Sequence, residues 1–399
     1  MNNLASTERF HALDNLRAIM MWLGIVLHVA INHITTTSPT PWRDAATSPL
    51  ADLLFVTIHA FRMPVFFILA AFLAAMLVEK HGYPGMLRNR VRKLALPFAM
   101  FWPTLFFSMG LLVLNYRHLM LFGTFGLGMA AAPVPHANQP SISTAHMWFI
   151  YYLFWFCMAA GAIGTLREHI PARLRALAAS AMLLLSTRWW GIFVLSLPLA
   201  LAGRAYPYGM VVPYGSFIPT IAELTHNGVF FLVGWYAYRQ RAALLPRFAR
   251  LGWRFMLVGL LPFIVCLKLF QVAKLQPDAI PQINALIAFL YGLTSWLWSF
   301  GLIGLFLRYL PRQNRVLRYV ADSSYWVFLV HMLGTIGFGS LLYHAPLSAA
   351  AKMGINILAT SCFTLVTYHL FVRNTWIGVV LNGKKADRNI KQLSLPAKS

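Results

Sequence analysis

Apolar residues in this chain gather into runs of about 20, separated by short polar and basic segments. At about 1.5 Å per residue, such a run crosses about 30 Å of hydrocarbon. The pattern predicts ten spans, at about 14–33, 52–78, 94–115, 146–165, 176–203, 221–238, 254–273, 282–307, 322–343 and 349–372. Within a bilayer each must be helical, because an open sheet edge would leave backbone groups unpaired. The expected fold is therefore an all-α membrane protein, a polytopic bundle of about ten transmembrane helices. In the fifth run Arg188, Trp189 and Trp190 interrupt the apolar pattern, so a kinked helix or a short hairpin is expected there.

The polar segments give the bundle a direction. One alternate set holds Lys80, Arg88, Arg90, Arg92 and Lys93, then Arg167, Arg173 and Arg175, then Arg239, Arg241, Arg247, Arg250 and Arg254, then Arg308, Arg312, Arg315 and Arg318. Arg9 precedes this set, and Arg373, Lys384, Lys385, Arg388, Lys391 and Lys398 follow it. The other set holds only Arg43, Arg117, Arg204 and Lys274. Positive charge is retained on the cytoplasmic side, so an even number of spans with both termini cytoplasmic is expected. The division that follows is a cytoplasmic segment 1–13, a membrane domain 14–373 and a basic cytoplasmic tail 374–399. The Pro-, Gly-, Thr- and Tyr-rich loops around 34–51, 116–145 and 204–220 would cap an outward-facing cavity.

Composition supports this class. The chain is 59% apolar with a mean hydropathy of +0.63, and only 11% of its residues are charged, against about 25% in soluble domains. A net charge of +23 raises nucleic-acid binding as an alternative. The charge sits between apolar runs with no basic stripe, so nucleic acid is not an expected partner. Cys157, Cys266 and Cys362 lie apart in apolar runs and read as buried reduced thiols. The first run has no small-residue cleavage site after it, and is expected to be an uncleaved span.

An ionisable side chain within a span costs about 2.5–3.5 kcal/mol on insertion scales, so each one is a candidate for function. The first run carries Asp14, Arg17, Gly24, His28 and Asn32. At about 100° per residue, Arg17 and His28 fall within about 20° of each other, about 16 Å apart along the axis. Asp14 lies on the same stripe. The second run opens with His59 and Arg62 one turn apart, where Arg62 either serves the site or snorkels to the outer interface. His146 begins the fourth run and His331 lies deep in the ninth. Carboxylates number ten, and no metal-ligand spacing, phosphate loop or nucleophile elbow is present. Histidine beside arginine, without a nucleophile motif, points to general-base chemistry on a hydroxyl. A secondary transporter with an Asp/Arg/His relay is the competing class, although paired repeats and matching broken helices are missing.

Several of these elements, in order, resemble the membrane-bound acyltransferase family 3, over about residues 9–373. They are Leu13-Asp14-Asn15-Leu16-Arg17-Ala18 with its Arg17-x10-His28 spacing, Phe61-Arg62-Met63-Pro64-Val65-Phe66-Phe67, the basic stretch Arg88–Lys93, His146-Met147-Trp148-Phe149, and Ser324-Tyr325 with His331. Ala70-Ala71 stands where the family often has Ser-Gly. The resemblance implies acyl-CoA, foremost succinyl-CoA, as cytosolic co-substrate and no metal. It implies a hydroxyl acceptor outside, a periplasmic glucan or another extracytoplasmic glycan, and a place in the bacterial inner membrane. On this reading His28 is the base, Arg17 guides the donor with Asp14 holding it, and Arg88, Arg90, Arg92 and Lys93 pair the CoA phosphates. Asn32, His59, Arg62, His146 and His331 are supporting, oxyanion or acceptor groups.

Overall fold

A computed structural model of the chain describes residues 2–36, 40–128, 142–213, 215–276, 278, 280–312 and 314–382, with the side chains of 2–10 and 281 set aside. The predicted roles of Lys384, Lys385, Arg388, Lys391 and Lys398 lie outside the described residues, and that of Arg9 outside the described side chains. Among the described residues there is no strand. The helices are α1 (Asn2–Ala30), α2 (Pro49–Arg90), α3 (Leu96–Phe122), α4 (Trp148–Thr165), α5 (Ala172–Thr187), α6 (Gly191–Gly203), α7 (Ile221–Arg239), α8 (Arg241–Leu275), α9 (Ile280–Tyr309), α10 (Arg315–Leu342), α11 (Ala349–Thr367) and α12 (Trp376–Asn382).

Local chemistry sets several of the ends. Ser48 caps α2 by accepting from the Leu50 amide, with Pro49 in the first turn. Thr220 and Glu223 form a reciprocal capping box at the start of α7. Asn314 and Ser348 cap α10 and α11.

Seven helical runs among the described residues are long and apolar enough to cross a membrane, or eight when α5 and α6 are taken as one bent span. The ten expected spans all fall on helical segments, the fifth broken at Arg188–Trp190, and the lower number has two further causes. The run Pro49–Phe122 contains the second and third spans. Its beginning is tied to the turn after α1, where the Ser48 amide donates to His33 O at 2.9 Å. Its other end returns to the same level, where Tyr116 accepts from Asn32 at 3.0 Å. The run therefore goes down the bundle and back. Its reversal includes Gly82, whose φ of 69° and ψ of 177° suit only glycine. The sixth span, α7, is helical throughout but has Glu223, His226 and Asn227 in its first two turns.

α5 and α6 meet at 101°, which resolves the fifth run as a broken helix. Arg188, Trp189 and Trp190 form the joint, and Arg247 donates to Thr187 O there.

Cross-bundle contacts define two ends. Asn15 donates to Leu310 O and Arg312 O, both at 3.1 Å, Lys93 donates to Val380 O and Leu381 O at 3.0 Å, and Tyr325 donates to Lys93 O at 2.7 Å. This end gathers most of the arginines and is called the basic end. Residues 15 and 381 both lie there. At the far end, Asp44 in the loop after α1 meets Lys352 of α11 at 3.0 Å, both buried. Close helix approach fixes the interior. Gly234 of α7 sits against the backbone of Ile68 in α2, where a Cβ would not fit, as small residues permit between membrane helices.

Candidate functional site

α1 and the helical turn Ile31–His33 that continues it present one face to α2, with Met20, Gly24, His28 and Asn32 at four-residue intervals. That spacing turns the helix by only about 40° per step, so the four line up from the basic end toward the far end. Arg62 of α2 is buried, with 6% exposure, and lies against this face. Its Nε donates to Met20 O at 3.1 Å. A Cβ at residue 24 would collide with the guanidinium, so glycine opens the berth. The guanidinium also lies 5.9 Å from the Phe66 ring centre. Among the described residues no carboxylate pairs with it. Arg62 therefore points into the bundle, and the snorkelling alternative is overturned.

Three histidines converge one turn beyond Arg62: His28 of α1, His331 of α10 and His146 of the turn that leads into α4. The His28 and His331 ring centres are 5.2 Å apart, and those of His146 and His331 are 5.5 Å apart. His146 Nε2 donates to Leu329 O at 2.9 Å. His331 Nδ1 faces Phe328 O at 2.8 Å and Val327 O at 3.1 Å, and its Nε2 is buried without a partner. His28 and His146 are half-buried, while His331 is 1% exposed. Arg62 is within electrostatic reach of all three. Among the described residues no group of three or more His, Cys, Asp or Glu is arranged to hold a metal ion.

His59 sits on the other side of Arg62. Its Nδ1 meets Tyr291 Oη at 3.0 Å, and that hydroxyl donates to Val56 O at 2.9 Å. His226 of α7 lies within electrostatic reach of His59, and its buried Nδ1 has no partner. Neither Tyr291 nor His226 was among the expected site residues. Their only signal in the sequence is a polar group inside an apolar run.

Asp14 and Arg17 are not part of this constellation. They pair at 3.3 Å, each roughly a third exposed, at the basic end. Their separation from His28 follows the helix rise, as the spacing predicted. The basic stretch is also divided. Arg88 and Arg92 are exposed, Arg90 turns inward with its Nε unpartnered, and Lys93 caps the end of α12. Toward the far end, Asn32 donates to Tyr116 at 3.0 Å and leaves its Oδ1 buried and unpaired. The Asp44–Lys352 pair, with Lys352 also donating to Tyr343 O at 2.7 Å, ties the loop after α1 to α10 and α11. This tie was not anticipated, since the two charges are 308 residues apart.

The acyltransferase domain family matches residues 10–372. Over shorter stretches the chain is similar to glucans biosynthesis protein C. The Shigella dysenteriae serotype 1 protein is 29% identical over 101 residues, which is 24% of either chain. The Salmonella typhi protein is 34% identical over 89 residues, 22% of this chain and 23% of that one. The matched stretch thus spans about a quarter of these relatives' length. No solved structure matches. A match from residue 10 to residue 372 leaves only the chain ends outside, and the protein belongs to the acyltransferase 3 family of multi-pass membrane acyltransferases.

Proposed function

We propose that the protein transfers an acyl group from acyl-CoA, on the cytosolic side of a bacterial inner membrane, to a hydroxyl of an extracytoplasmic glycan. The observation that carries this reading is the buried, carboxylate-free Arg62 guanidinium one turn from His28 on the same face of α1. A cation buried without an acid is costly, and an anion forming beside it would offset that cost. Thioester attack generates such an anion.

In this mechanism the donor thioester enters from the basic end and its carbonyl oxygen rests against Arg62. The acceptor hydroxyl comes from the far end, where the free Asn32 Oδ1 can accept a sugar hydroxyl. His28 takes the hydroxyl proton as the oxygen attacks the thioester carbon. The carbonyl π electrons move to its oxygen, and Arg62 stabilises the resulting oxyanion. Collapse breaks the carbon–sulfur bond, and CoA thiolate recovers the proton from the His28 imidazolium. The ester and free CoA are the products.

Arg17, steadied by Asp14, together with Arg88, Arg90 and Arg92, offers cationic groups to the donor phosphates at the basic end. Lys93 is held by α12 and contributes through packing. The positive-inside bias favours this end as cytosolic, with residues 14–373 as the catalytic membrane domain. Succinyl-CoA is the donor and a periplasmic glucan the acceptor we favour, on the likeness to glucans biosynthesis protein C.

The test uses inverted membrane vesicles carrying the protein, labelled succinyl-CoA or acetyl-CoA, and periplasmic glucan loaded inside. Label should reach the glucan with wild type, and His28→Ala should lower transfer by about 100–10,000-fold, leaving a measurable residue. Equal transfer by His28→Ala would remove the base assignment. Label on another glycan, or from acetyl-CoA alone, would reassign the substrates while keeping the reaction class.

A further inference from the structure

We infer that His331 is a positioning residue for His28, setting its tautomer and stabilising its protonated form as a carboxylate would in other general-base sites. The inference rests on His28 being the base, and its test separates the two.

The tautomer of His331 follows from its neighbours. Both groups facing Nδ1, Phe328 O at 2.8 Å and Val327 O at 3.1 Å, are carbonyl oxygens that can only accept. Nδ1 therefore carries the hydrogen, and in the neutral ring Nε2 is a bare acceptor. That atom is buried and has no partner, and an unpaired buried acceptor costs about 1–3 kcal/mol. The site must supply a donor to it during the working cycle.

Two rings and one cation surround it. His146 is fixed in the opposite sense, because its Nε2 must donate to Leu329 O at 2.9 Å. Its remaining Nδ1 is then an acceptor and cannot serve His331. Arg62 lies one turn toward the basic end, its Nε donating to Met20 O and its Nη2 set against Gly24. His28 is the remaining ring, with its centre 5.2 Å from that of His331. In the structure the two rings are tilted by 48° and no hydrogen bond joins them, but a rotation that turned a nitrogen of each ring toward the other at this spacing would bring the two within about 3 Å, a hydrogen-bond distance. Among the described residues no hydrogen bond holds the His28 ring in another orientation.

A His28 N–H donated to His331 Nε2 leaves the other His28 nitrogen as the lone pair that receives the acceptor's proton. When His28 becomes imidazolium, the same bond strengthens, because its donor is now charged. Carboxylates commonly play this part. Here a neutral ring does it, which spares the membrane interior a buried acid.

The variants His331→Leu and His331→Gln are compared in vesicles with wild type, alone and combined with His28→Ala. His331→Leu keeps bulk and removes the acceptor. It should lower kcat by about 100-fold, the scale of a general-base contribution, and leave KM for acyl-CoA within twofold. His331→Gln places an amide oxygen near the lost nitrogen and should recover at least tenfold. In a His28→Ala background, His331→Leu should add no further loss, since groups acting as one unit are not additive. Wild-type kcat in His331→Leu, equal impairment of the Leu and Gln variants, or a full additional loss in the His28→Ala background would each overturn the inference. If His28→Ala itself is fully active, the general-base reading fails and this inference falls with it. If His28→Ala is impaired and His331→Leu is normal, only the positioning role fails.

Discussion

The guanidinium of Arg62 occupies the volume that a side chain at Gly24 would fill. One helix thus supplies the cation and the other supplies the absence of a Cβ that admits it. The Gly24→Ala variant should push Arg62 off the α1 face and lower acyl transfer by about 10–100-fold, in the range of a misplaced oxyanion donor. Alanine favours the helix by about 1 kcal/mol over glycine, so the unfolding midpoint should fall little if at all. Transfer assays alongside thermal unfolding in detergent check this, and unchanged transfer would show that the berth is not needed.

Arg62→Met should separate function from stability. Transfer should fall by about 100–1000-fold. Stability should hold or rise by about 1–3 kcal/mol, because a buried cation without an acid is replaced by an apolar chain of similar length. A stability loss as large as that expected for breaking a true ion pair would mean that Arg62 is structural.

The Asp44–Lys352 pair should behave in the opposite way. Each charge is nearly fully buried and depends on the other, so Lys352→Met should cost about 3–5 kcal/mol. The double variant Asp44→Asn/Lys352→Met should recover much of that. A double-mutant cycle on unfolding midpoints measures the coupling. Additive losses would show that the two charges are independent.

Asp14 and Arg17 are expected to matter for the donor and not for the fold. Their pair is about a third exposed on each side, so Arg17→Gln should change stability by less than about 1 kcal/mol. It should raise KM for acyl-CoA several-fold with little change in kcat, as for a group that binds donor and transition state alike. A fall in kcat with unchanged KM would bring Arg17 into the chemical step.

Much of this architecture could be read from the sequence because a bilayer simplifies the problem. Backbone groups have no water to turn to, so an apolar run of sufficient length must be helical, and the runs are, with the fifth broken at Arg188–Trp190. The α5–α6 break was visible as Arg188-Trp189-Trp190, although its angle was not. Hydropathy alone under-reads α7, since Glu223, His226 and Asn227 face protein and not lipid.

The site divides along the same line. Residues of one helix, such as Asp14, Arg17 and His28, could be placed on one stripe from the helical repeat, and so could the distance of Arg17 from His28. Which helices meet that face could not be placed. Arg62 looked equally suited to snorkelling, His146 to an interfacial anchor, and Tyr291 to an ordinary aromatic of an apolar run. Helix periodicity is a property of neighbours in sequence, and a single chain carries it openly. The convergence of α1, α2, α4 and α10 depends on packing between segments hundreds of residues apart. Only the folded bundle decides which polar groups find partners and which, like Arg62 and His331 Nε2, are left facing the site.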